Sequence, residues 1–136
     1  MDLQKLKHEH TEILTHVSAL RKLAQSGIRE NATAISAQII KMSSLIKLHL
    51  AVEDSVLYPA LQKGSNAALA KMAKQYQSEM ANIASTYMNF ARRWNTGTTV
   101  AEDPEGFRQE ANQVLKVLHE RVQKENTEFY PAVEAH

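Results

Sequence analysis

The stretch KLHLAVEDSVLYPAL, Lys47–Leu61, decides the fold. It is an apolar, helix-forming run with His49 and Glu53 set inside it. On an α-helix, residues four apart stand one above the other on the same face. Reading backward, Ile35, Ile39, Met42 and Ile46 lead by steps of three and four into His49 and Glu53, and Val56 and Ala60 continue the row. The pair therefore extends an apolar stripe and is expected to point inward. A buried carboxylate must protonate, pair or bind a cation. The question is which of these neutralises it here.

Three further stripes complete the reading. The first helix is expected from Asp2, as N-cap, to about Ser26, with Gly27 as its stop. Its stripe is Leu3, Leu6, Ile13, Val17 and Leu20, and His10 fills the one gap. The second helix, which carries the opening stretch, runs from after Asn31 to near Gly64, with Pro59 kinking it late or ending its regular part. The third runs from Ser65 or Asn66 to about Asn95 through Leu69, Met72, Tyr76, Ile83, Tyr87, Phe90 and Trp94. Glu79 lies on that face with Met80 beside it. NTGTTVAEDPEG is the longest polar break, and Pro104 suits a helix start. The fourth helix runs to about Ala135 through Phe107, Ala111, Val114, Leu118, Val122, Phe129 and Val133. Glu125 falls on that stripe and Arg121 on its edge. The expected fold is all-α, an up-down-up-down four-helix bundle forming one domain over residues 1–136.

Composition narrows the function. The formal net charge is +1, with no basic stripe, so nucleic acid is not an expected partner. There is no cysteine, which removes disulfides, thiolate metal sites and thiol catalysis. The charged N-terminal stretch MDLQKLKHEHTEIL does not read as a signal peptide, and no apolar run is expected to reach membrane-span length. A soluble cytoplasmic protein without a membrane partner is the expectation. No glycine-rich phosphate loop or GxSxG elbow is present, and no catalytic residue is assigned.

The chain also echoes itself. EDSVLYPAL on the second helix resembles ENTEFYPAV on the fourth, so that Glu53 matches Glu125, Tyr58 matches Tyr130 and Pro59 matches Pro131. Carried backward, the match sets Arg121 opposite His49. His10, His49, Glu53, Glu79, Arg121 and Glu125 all fall near mid-height of their helices, so antiparallel packing gathers them into one layer. Imidazoles and carboxylates facing one another across a bundle are how such folds hold iron or manganese. Taken singly, His10 reads as a hydrogen-bonded core residue and an isolated HxxxE as a solvated face. The conjunction with the repeat raises the metal reading. His8, His16, His119 and His136 read as surface residues, His119 being about 100° off its stripe.

LKHEHTEIL, HLAVEDSVLYPAL and ENTEFYPAV resemble the hemerythrin-like, or HHE cation-binding, family over nearly the whole chain. The resemblance implies a four-helix bundle with a non-haem di-iron centre that serves oxygen binding, sensing of oxygen, nitric oxide or iron, or repair of nitrosative damage. Carried over by position, it implies that His10 and His49 are ligands and that Glu53 and Glu125 are bridging carboxylates. Two positions depart: Glu79 and Arg121 stand where the family offers histidine. Glu79 can serve as an oxygen ligand. Arg121 cannot, because guanidinium stays protonated and has no lone pair to give. The expected metal set is thus His10, His49, Glu53, Glu79 and Glu125, holding one or two irons, or manganese. The competing expectation is a metal-free bundle in which Arg121 neutralises the inner carboxylates and the protein acts as an interaction or signalling module.

Overall fold

In a computed structural model, which describes residues 2–135, the chain is helical and has no strands among the described residues. Helix α1 spans Gln4–Gln25, α2 Ala32–Val52, α3 Tyr58–Gln62, α4 Ala67–Arg93, α5 Gly97–Glu102, α6 Pro104–Lys124 and α7 Tyr130–Glu134. A five-residue π turn, Glu53–Leu57, joins α2 to α3, and a second, Glu125–Phe129, joins α6 to α7. These units form the four long rods read from the stripes. Helix α1 packs on α2 and α6, and α4 packs on α2 and α6, closing a four-helix bundle.

The helix ends follow side-chain chemistry. Asn66 Oδ1 accepts the Leu69 N–H at 3.0 Å, and Asp103 Oδ1 accepts the Gly106 N–H at 3.0 Å, satisfying amide groups that have no intrahelical acceptor. Asp2 Oδ1 takes the Gln4 N–H at 2.9 Å. Gly27 sits at φ 122°, a conformation that side chains resist, and stops α1 where the sequence expected it. The supposed polar break contains a short helix, α5. Thr96 caps it, and Val100, fully buried, anchors it to the core.

Pro59 and Pro131 each explain the π turn before them. Pro59 has no N–H to give the carbonyl four residues back, and its ring would collide with that carbonyl. The helix widens instead, so that the Tyr58 N–H reaches Glu53 O, five residues back. Pro131 does the same, with the Tyr130 N–H bonded to Glu125 O. The Pro59 kink read from the sequence is thus a widened turn inside a continuing rod, and it begins at the carboxylate of interest.

The apolar core falls into two clusters. One contains Ile13, Ile39, Met42, Phe90, Phe107 and Leu118. The other contains Leu3, Leu6, Tyr58, Tyr76, Phe129 and Tyr130. His10, His49, Glu53, Arg121 and Glu125 are all buried and lie in sequence between members of the two clusters on their respective helices. The polar layer at mid-height is real.

Two expectations change. Helix α4 turns Ala73, Tyr76, Met80 and Tyr87 inward, so Met80 takes the inner position and Glu79 lies to the side, its side chain 42% exposed. The row Tyr76–Met80–Tyr87 fits helical periodicity and buries a thioether in place of a charge. In addition, the rod Ala32–Gln62 is long and apolar enough to cross a membrane by length and composition, with a mean hydropathy of 1.2 over its best window. Outward-facing Ile40 and Leu48 contribute to that value, while the inner face of the rod holds His49 and Glu53 within the bundle.

Candidate metal centre

His10 and His49 lie side by side, ring centroids 4.7 Å apart. Each has one nitrogen committed to the protein. His10 Nδ1 is 2.7 Å from Asn126 Oδ1, and His49 Nδ1 is 2.9 Å from Glu9 Oε1. An oxygen acceptor at Nδ1 places the ring proton there and leaves Nε2 with its lone pair. Metal-ligating histidines are characteristically oriented this way.

Both Nε2 atoms then face carboxylate oxygens. His10 Nε2 is 2.9 Å from Glu125 Oε1. His49 Nε2 is 3.4 Å from Glu53 Oε1, but the two are not aligned as a hydrogen bond, and both atoms are buried without a hydrogen-bond partner. Two lone pairs facing two carboxylate oxygens require positive charge between them, as a proton or a cation. The ligand atoms of His10, His49, Glu53 and Glu125 all lie within 4.8 Å of one another. They surround a cavity of about 10 Å³ walled by Ile13, Ile46, Leu118 and Val122, with room for about one water-sized occupant. Bonds of about 2.0–2.2 Å reach up to about 4.4 Å between opposite donors, so a contraction of a few tenths of an ångström closes the set on an ion.

The repeat is crossed in space. The Tyr130 hydroxyl donates to Glu53 Oε2 at 2.9 Å, and the Tyr58 hydroxyl is directed at Glu125 Oε2 at 3.5 Å. Each tyrosine thus serves the carboxylate of the other half. Burial, with the neighbouring carboxylates, pushes both phenols far above their ordinary range, so both remain donors. Arg121, 5% exposed, gives Nε to Glu125 Oε2 at 3.2 Å and Nη2 to Tyr76 O at 2.7 Å, with Tyr58 Oη at 3.4 Å. Its guanidinium also lies 4.5 Å from the centre of the Tyr76 ring.

The two carboxyls are driven apart. Burial and the adjacent Glu125 push Glu53 well above the usual carboxylate range. Burial pushes Glu125 the same way, but the hydrogen bond and charge of His10, with Arg121 and His49, outweigh it and hold Glu125 low. Burial and the neighbouring His10 push His49 below its ordinary value, which favours the neutral imidazole that a metal needs.

Of the five expected ligands, the structure brings together His10, His49, Glu53 and Glu125. It does not bring in Glu79, whose Oε1 lies 4.0 Å from Arg121 Nη1 and 3.8 Å from Lys124 Nζ at the rim. His119 stands outside the layer beside Gln123, His16 pairs with Gln38, and His8 is exposed. His136 lies outside the described residues. Sequence reasoning missed Glu9 and Asn126, which orient the imidazoles. Their only signal was adjacency: Glu9 precedes His10, and Asn126 follows Glu125.

Comparison with known proteins agrees with this arrangement. The family model described as "Hemerythrin HHE cation binding domain" matches residues 1–133. No curated protein and no solved structure matches the chain significantly. With the family pattern spanning nearly its whole length, the chain belongs to the hemerythrin HHE family.

Proposed function

We propose that the protein is a non-haem metal-binding protein of the hemerythrin type, with iron as the resident ion and manganese as the nearest substitute. The observation that carries this is the pair of imidazoles whose Nδ1 atoms are committed to Glu9 and Asn126, which turns two lone pairs onto two carboxylate oxygens. The donor set suits a borderline divalent metal. Bound iron supplies Lewis acidity and a one-electron couple. The chain's own groups favour the neutral form of His49, keep Glu125 ionised and close the layer to water between two apolar clusters. The physiological role that fits is handling or sensing oxygen, nitric oxide or iron inside the cell. Protein reconstituted anaerobically with ferrous iron should retain it through gel filtration, and His49→Ala should lose most of it. Retention below about a tenth of an equivalent overturns the proposal.

A second reading is favoured by one observation, the buried Arg121–Glu125 pair. In it the layer is a metal-free polar network that fixes helix register, and the protein is an interaction or signalling module. The same reconstitution separates the two.

A further inference from the structure

We propose that this centre takes a single metal ion and that the Arg121 guanidinium occupies the place of a second. The inference rests on the metal-binding reading above and concerns the number of ions and what limits it.

A carboxylate bridges two ions by giving one oxygen to each. Here the second oxygen of each carboxylate is already engaged. Glu53 Oε2 accepts the Tyr130 hydroxyl at 2.9 Å, and Glu125 Oε2 accepts Arg121 Nε at 3.2 Å. Only the Oε1 atoms face the histidines. Both carboxylates are thereby held to one-oxygen binding by donors of the protein itself.

The size of the site agrees. Two ions in a shared site stand about 3.5–4 Å apart, so their outer donors spread to about 7 Å. The four donors here lie within 4.8 Å of one another around a cavity of about 10 Å³. That is the span of one coordination sphere.

Charge points the same way. With neutral imidazoles and both carboxyls ionised, the forms in which they ligate a metal, the buried Glu53, Glu125 and Arg121 carry one net negative charge. One dication turns this to one positive charge. Two would leave three positive charges in a layer between apolar clusters, and burying uncompensated charge is steeply unfavourable. Arg121 cannot easily withdraw, because Tyr76 O holds Nη2 at 2.7 Å and the Tyr76 ring lies 4.5 Å from the guanidinium. By the internal repeat it stands where His49 stands in the other half, four residues before the carboxylate. Arg121 is thus a positioning residue that keeps Glu125 from bridging.

The test counts ions and reads their coupling. The full chain is reconstituted anaerobically with excess ferrous iron, desalted, analysed for iron, oxidised and examined by electron paramagnetic resonance. The expected result is one equivalent, all of it giving the signal of an isolated high-spin ferric ion. Arg121→Lys, which keeps the charge, should stay at one equivalent. Arg121→His should rise toward two and lose signal to a coupled pair. Two equivalents with a silent coupled pair in the parent overturn this inference and leave metal binding standing. Retention below about a tenth of an equivalent overturns metal binding, and this inference with it. A folded Arg121→His chain that keeps one uncoupled ion overturns the role given to Arg121.

Discussion

Replacing Arg121 by alanine in the metal-free protein should be among the most destabilising single changes in the chain. The guanidinium is 5% exposed and makes close contacts with Glu125 Oε2 at 3.2 Å and Tyr76 O at 2.7 Å. Its loss leaves Glu125, 2% exposed, without its arginine partner and takes away the second donor to the Tyr76 carbonyl, which α4 already engages through its own helical bond. Breaking a buried ion pair from one side costs about 3–5 kcal/mol. The lower end applies, since His10 Nε2 still faces the other oxygen of Glu125 at 2.9 Å. At about 3 °C per kcal/mol for a chain of this size, melting should fall by about 10 °C. Thermal unfolding followed by circular dichroism, with chelator present, measures it. Adding Glu125→Gln to Arg121→Ala should recover part of the loss, because the uncompensated charge goes with the carboxylate. An Arg121→Ala chain that melts within about 1 °C of the parent would refute the reasoning, since that is what a surface side chain gives.

Three further outcomes follow from individual contacts. Tyr130→Phe deletes the 2.9 Å donor to Glu53 Oε2 and should cost about 1–3 kcal/mol in urea unfolding of the metal-free chain. Glu79→Ala should change stability by less than about 0.5 kcal/mol and leave iron retention unchanged, because this carboxylate sits at the rim; lost iron would return it to the ligand set. Glu9→Ala removes the acceptor that orients His49 and should weaken ferrous iron binding about 10–100-fold by competition with a chromophoric chelator, with the helical spectrum unchanged.

The bundle was legible because burial leaves a periodic mark. His10 sits in the gap of one stripe and His49 extends another, so both could be placed inside before any contact was known. The repeat likewise disclosed which carboxylates belong together, but not that Tyr58 and Tyr130 cross over to serve the opposite halves. That pairing depends on how the two rods pack, which no single helix encodes. Glu79 was misplaced because it and Met80 lie about 100° apart on α4, and the stripe tolerated either. The apolar choice won on desolvation. The π turns were hidden in the prolines: a proline announces a missing hydrogen bond, whereas the neighbouring helices decide whether the rod bends, stops or widens. Glu9 and Asn126 escaped because a residue that orients a ligand carries no spacing rule of its own.

The most direct test of the centre is anomalous diffraction at the iron edge from crystals of the reconstituted chain. The account predicts one peak in the bundle layer, bonded to His10 Nε2, His49 Nε2, Glu53 Oε1 and Glu125 Oε1, with Arg121 still on Glu125 Oε2. No peak in that layer, or a peak held by Glu79 or His119, would contradict it.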